Sequence, residues 1–311
     1  MTLPIYFEPK KSLNLVNLTD EFNFLKSLHL KDKLPNALLL SGDKGNGKST
    51  LINHLLYFIF DKKNYDEKTN KLNIVSKFHN QFINNTFPNI IYISGADYEN
   101  TKIENIRNLK KNIFQTSILE KPKFIILDDV ELLNANCLNA LLKLIEEPNK
   151  NNHFILINNK SKSLIDTVVS RCLQIKIILS ESNRSSIIQS LLKMFELKSF
   201  LDPKKTFLSP GYYIKFNHIF EENEIFINSD FLKNISILLN LYKKNKDVLY
   251  IDMILFLTDF HYKKIQGDNS IKTEKIIEQK RFIFENINKF FTYNLNQNAL
   301  LNAIERKINY E

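Results

Sequence analysis

A chain of 311 residues with 43% hydrophobic and 12% aromatic content is longer than one typical domain and has apolar material for more than one core, which excludes a disordered or fibrous polypeptide. The formal charge of +9 favours a polyanion such as DNA, but the lysines are scattered in pairs such as Lys110-Lys111 and Lys243-Lys244, the pattern of solvated faces, so a DNA-binding adaptor rests on charge alone. No stretch approaches the roughly 18 apolar residues of a membrane span, and the start, MTLPIYFEPKK, has no apolar run behind a basic segment, so no membrane partner and a cytoplasmic location are expected.

In chain order, the first predicted strand covers residues 37–41 and runs into the glycine-rich stretch SGDKGNGKST, followed by an apolar helix over 51–60. Residues 61–85 are polar and read as an irregular insertion. A second strand, 89–94, precedes a helix over 101–115 that opens on the capping box Thr101-x-x-Glu104 and carries Ile103, Ile106, Leu109 and Ile113 on one face. The strand 123–128 ends on Asp128 and Asp129. A helix over 134–147, with Leu138, Leu141, Leu142 and Ile145 on one face, is stopped by Pro148. Strands at 153–158 and 173–177 complete the set. Alternation of strands and helices predicts an α/β fold with a parallel sheet covered on both faces. After residue 178 only amphipathic helical runs remain, at 185–197, 230–242 and 273–291.

The two cysteines, Cys137 and Cys172, stand outside any CxxC pair and read as small buried apolar groups, and the six histidines are isolated, so neither a disulfide framework nor a zinc site is expected.

The stretch from Ser41 to Thr50 satisfies G-x-x-x-x-G-K-[ST] through Gly42, Gly47, Lys48 and Ser49, with Asp43, Lys44, Gly45 and Asn46 between. Glycines let successive backbone N–H groups turn inward around phosphate oxygens, and the following helix adds its positive end. In such a loop Lys48 meets the outer phosphates and Ser49 ligates magnesium, while an acid ending a neighbouring strand, here Asp128, holds the metal from the other side. Strand, loop, helix and acid-ended strand together predict a P-loop domain binding ATP or ADP with magnesium; taken alone, the loop also fits a metabolic kinase.

The stretch LDDVELLNANCLNALLKLIEEPN, followed by HFILINN and VVSRCLQI, resembles the core of the clamp-loader branch of the AAA+ ATPases. The family's helix N-A-L-L-K-x-L-E-E-P is matched from Asn139 to Pro148, its polar sensor by Asn158 or Asn159, and its Ser-Arg-Cys motif by Ser170, Arg171 and Cys172. Echoes in Leu208-Ser209-Pro210-Gly211 and Tyr293-Asn294-Leu295-Asn296, with the lack of four zinc-binding cysteines between loop and acids, make the chain resemble delta-prime subunits of bacterial DNA polymerase III more than the motor subunits, gamma and tau. The resemblance implies a P-loop domain over 1–178, a helical lid over 179–246 and a helical collar over 247–311. It further implies a pentameric hetero-oligomer with other clamp-loader subunits that places a sliding clamp on primed DNA. Arg171 would then be a finger reaching the ATP site of a neighbouring subunit, and Thr50 and Asn159 would join the nucleotide site.

Two departures from the family bear on chemistry. Its hydrolytic glutamate corresponds to Asp129, one methylene shorter, and a misplacement of about 1 Å costs on the order of a hundredfold. The lid arginine expected after Ser-Pro-Gly is replaced by Tyr212 and Tyr213. Nucleotide binding without efficient hydrolysis is therefore expected, in a stator subunit, with an active motor ATPase as the alternative.

Overall fold

The computed structural model describes residues 4, 7–95, 121–146, 151–267 and 273–309; the helix expected over 101–115, and Glu147 and Pro148, lie outside them. The chain divides into two compact units, Met1–Phe195 with Phe207–Lys215, and Glu196–Thr206 with Phe216–Glu311.

The first unit runs α1 (Thr19–Leu30), β1 (Ala37–Ser41), α2 (Lys48–Phe60), the hairpin β2 (Tyr65–Asp66) and β3 (Lys71–Leu72), α3 (Lys77–Ile83), β4 (Ile90–Ser94), β5 (Lys123–Asp128), α4 (Ala135–Glu146), β6 (Asn152–Asn158), α5 (Asp166–Val169), β7 (Leu173–Lys176) and α6 (Glu181–Met194). Five strands form one parallel sheet in the order β4-β5-β6-β1-β7. Both β1 and β5 are buried along their whole length, which is why they read as continuous apolar runs rather than alternating ones.

Alternation sorts their side chains between two cores. Leu38, Leu40, Phe124 and Ile126 pack with Phe22, Leu51, Leu55 and Phe58 of α1 and α2. Leu39, Ile125 and Leu127 pack on the opposite face with Leu138, Leu141 and Ile145 of α4. Because β1 lies between β6 and β7, the loop leaving it opens beside the carboxyl ends of its neighbours, where open α/β sheets place their ligands.

Residues 61–85 depart from the expected irregular insertion. They form the β2–β3 hairpin and α3, capped by Ser76, whose hydroxyl accepts from the His79 backbone N–H at 3.1 Å. Tyr65, Phe78 and Phe82 are buried in the α2 face of the core. Phe78 and Phe82 stand one helical turn apart, a spacing that the surrounding polar residues obscure.

In the second unit, after α7 (Pro210–Glu222), whose first residues belong to the first unit, follow α8 (Phe231–Asn245), α9 (Leu249–Gly267), α10 (Thr273–Tyr293) and α11 (Gln297–Asn309). Helix α8 packs on α9 and α11, and α10 packs on the same two. Ile235, Leu238, Met253, Ile254, Leu257, Ile283, Ile287, Phe290, Leu300 and Ile304 are buried at helical spacing. Asp230 caps α8 by accepting from the N–H groups of Leu232 and Lys233. Among the described residues no helix is long and apolar enough to cross a membrane.

Candidate functional site

The turn from β1 into α2 needs two residues in the left-handed region, and both are glycines, Gly45 at φ 91° and Gly47 at φ 86°. Gly47 is the N-cap of α2 and no side chain caps that end, so the first-turn amides face the loop's interior. Lys48 is only 3% exposed, and its ammonium folds back to donate to the carbonyl oxygens of Gly42 at 2.7 Å and Asp43 at 2.8 Å. Burial lowers its pKa to about 8, opposed by Asp128, Asp43, Glu131 and Asp129. Thr50 shares a 2.6 Å hydrogen bond with Ser12 of the amino-terminal segment, and Asn53 donates to the carbonyls of Pro9 and Ser12. Buried polar groups of α2 thus tie that segment beside the loop.

A cavity of about 190 Å³ opens there. It is lined by the loop from Lys44 to Thr50 with Asp128 and Asn159, together with the apolar side chains Val16, Leu18, Ile187, Leu191 and Ile214. A lining that combines the polar phosphate loop with apolar side chains suits the phosphates and the base of a nucleotide. The residues therefore fit the group the loop implies.

That fit yields a pH prediction. Phosphates beside Lys48 would raise its depressed pKa, so binding near pH 8 draws in a proton. Affinity is expected to fall as pH rises from 7 to 9, with roughly half a proton taken up at pH 8 and almost none a unit and a half lower. Calorimetry in buffers of different ionisation enthalpy measures this, and equal heats after buffer correction would exclude the coupling.

Asp128 ends β5 and is 6% exposed, and burial pushes its carboxyl above the usual carboxylate range against the opposing Tyr92 bond. Its Oδ1 accepts from the Asp129 backbone N–H at 2.9 Å and from Asn159 Nδ2 at 3.2 Å; its Oδ2 accepts from the Tyr92 hydroxyl at 2.5 Å. Asp129, with φ 50°, is held by Lys44 Nζ at 3.3 Å and by Asn159 Nδ2 at 2.7 Å. Of the two sensor candidates, Asn159 donates to both acids, whereas Asn158 accepts from the Lys160 backbone N–H. Asp43 receives Lys160 Nζ at 3.3 Å, and Asn46 is buried below the loop.

Arg171 stands apart from this cluster at the end of α5. Its Nε donates to Glu146 at 2.6 Å and its guanidinium to the Thr167 carbonyl at 2.9 Å, with 39% of the side chain exposed. Cys137 is buried, whereas Cys172 is half-buried rather than buried; both are free, and burial raises both thiols, Cys172 to about 11. Neither thiol is set up to react. Among the described residues no group of three or more His, Cys, Asp or Glu side chains could hold a metal ion by itself.

Three residues join the site without a sequence expectation. Glu131 is 5% exposed, and its Oε1 accepts from the backbone N–H groups of Asn159 and Ser161 and from the Ser161 hydroxyl, which fixes the loop that presents Asn159. Its place two residues after Asp129 was the available signal. Tyr92 lies inside β4 and had none. Lys215 lines the cavity one turn after Tyr212, with its ammonium 5.7 Å from the centroid of the Phe7 ring.

The family model described as DNA polymerase III, delta subunit, matches residues 18–180. The chain belongs to that family. Members similar to it include the delta' subunit of Bacillus subtilis strain 168, 28% identical over 142 residues, covering 46% of this chain and 42% of the relative. The delta' subunit of Buchnera aphidicola subsp. Acyrthosiphon pisum is 27% identical over 172 residues, covering 54% and 51%. The gamma subunit of DNA polymerase III from the same Buchnera is 29% identical over 171 residues, covering 55% and 45%. The chain spans only about half the length, or less, of the curated relatives it matches. The matched region of the delta-prime family takes in the phosphate loop, both strand-end acids, Asn159 and Arg171.

Proposed function

We propose that this chain is a clamp-loader subunit of a bacterial replicative DNA polymerase, acting in ATP-dependent loading of the sliding clamp onto primed DNA. In this reading it is a stator: it holds ATP or ADP in its own site without turning it over, and supplies Arg171 to the ATP site of a neighbouring subunit. The observation that carries it is the contrast between an intact phosphate loop and a tied acid. The loop keeps its glycine geometry and buried Lys48, whereas the Asp129 carboxylate is engaged by Lys44 and Asn159. These contacts take up acceptor positions that the carboxylate would otherwise offer to an attacking water.

Backbone amides of Gly45 to Ser49 and the Lys48 ammonium would hold the phosphates, and Ser49 and Asp128 are the groups that a phosphate loop of this kind offers to magnesium. Nucleotide held this way favours one arrangement of lid and core through differential affinity, not turnover. Lid and collar are assigned to residues 179–246 and 247–311, and the collar would join a ring of about five subunits in the cytoplasm.

The test is assembly: mixed with the other clamp-loader subunits, the chain is expected to enter one stable complex, and failure to do so removes the reading. The likeness to gamma subunits favours a second reading, an active motor ATPase. The isolated chain is expected to turn ATP over far more slowly than about 1 s⁻¹. Asp129→Glu restores the missing methylene but not the lid arginine, so a rise of no more than about tenfold is expected. Steady wild-type turnover at ordinary enzyme rates would install the motor reading instead.

A further inference from the structure

Tyr92 stands in the middle of β4, opposite Ile126 of β5, and its side chain reaches past that register to the acid at the strand's end. The hydroxyl donates to Asp128 Oδ2 at 2.5 Å. Ser49 and Asp128 are the pair between which a P-loop site holds its divalent cation. Here a phenol already occupies the acid of that pair.

The remaining surroundings keep the phenol there. Oδ1 of Asp128 accepts from the Asp129 backbone and from Asn159, so both carboxylate oxygens already face donors. The Lys10 ammonium lies over the Tyr92 ring at 4.7 Å from its centroid and also donates to Asn85, which pins it in place. The ring packs against the α2 face of the core. Magnesium demands near-octahedral oxygen ligands at about 2.1 Å. A cation taking Asp128 Oδ2 as a ligand would have to displace the hydroxyl, and withdrawing the ring would cost its contacts with the core and with Lys10.

We propose that Tyr92 competes with the divalent cation for Asp128, so that this chain takes nucleotide with little dependence on magnesium. The inference rests on the nucleotide reading above and adds which species completes the site. Phosphate charge is then met chiefly by Lys48 and the loop amides. A site of this kind holds nucleotide but lacks the cation that phosphoryl transfer uses to neutralise developing charge.

Tyr92→Phe tests this, because it deletes the hydroxyl and keeps the ring, its packing and the contact with Lys10. ADP affinity of the full chain is measured by calorimetry in EDTA and in magnesium. Wild type is expected to change by less than about threefold between the two, whereas Tyr92→Phe gains at least about tenfold from magnesium. The same magnesium gain in both proteins, or a tenfold gain in wild type, overturns the proposal while leaving nucleotide binding intact. A second measurement needs no nucleotide: manganese alone, followed by its electron paramagnetic resonance, is expected to bind Tyr92→Phe more tightly than wild type. Equal manganese binding overturns the competition. Absence of ADP binding by either protein in either medium overturns the nucleotide reading, and with it the proposal.

Discussion

Replacing Arg171 by alanine is expected to remove most of the ATP turnover at one subunit junction of an assembled complex while leaving this chain folded and able to bind its own nucleotide. The side chain is partly exposed at the end of α5, away from the phosphate loop, and its partners are Glu146, the Thr167 carbonyl and Ser170. An exposed substitution of this kind changes stability by only about half a kcal/mol. A planar cation delivered to a neighbour's γ-phosphate, by contrast, contributes about a thousandfold or more to transfer. The deficit of the whole complex is smaller than that, because other junctions keep their own arginines. Lysine at this position is expected to rescue little, since it preserves charge but not the planar fork. The measurement is ATP turnover with clamp and primed DNA, using complexes shown to have equal stoichiometry. Unchanged turnover in a correctly assembled Arg171→Ala complex would mean that the residue serves only its own surface, through Glu146.

Lys48→Ala is expected to weaken ATP and ADP binding by about a hundredfold or more, through loss of a fixed cation beside several phosphate oxygens. The fold should tolerate the change. Burial disfavours the charged form of Lys48, so its removal relieves a desolvation cost even as two loop carbonyls lose their donor. Thermal unfolding without nucleotide serves as the control. Wild-type melting should rise with added ADP, because a ligand that binds only the folded state stabilises it, and the mutant's should not. Equal affinity of wild type and mutant, measured by calorimetry, would count against any role for the loop in holding phosphate.

Much of the first unit was legible because its signals are local. A strand buried on both faces writes itself as a short apolar run, so β1, β5 and β6 fall within a residue of their expected ends. The phosphate loop was equally plain, since its left-handed turns at Gly45 and Gly47 require a residue without a Cβ. Helix boundaries were less so: the helix expected over 185–197 begins four residues earlier, because Ser180 caps it by accepting from Asn183. Helix α3 was missed because two phenylalanines one turn apart make too short a pattern to stand out of a polar stretch.

The sequence by itself determined the order of strand, loop and acid, and hence a phosphate site at the sheet's carboxyl edge. The surroundings of that site were decided by contacts between residues far apart in the chain. Tyr92 meets Asp128 across 36 positions, and Lys44 meets Asp129 across 85. Neither pair leaves a periodic trace: a tyrosine in a strand interior is ordinary core, and a lysine between two glycines is ordinary loop. Only the parallel register of β4 on β5, and the return of β1 into the same sheet beside β6, bring these groups together. A hydroxyl reaching a buried carboxylate, and an ammonium tying the acid next to it, depend on positions in space that spacing along the chain does not encode.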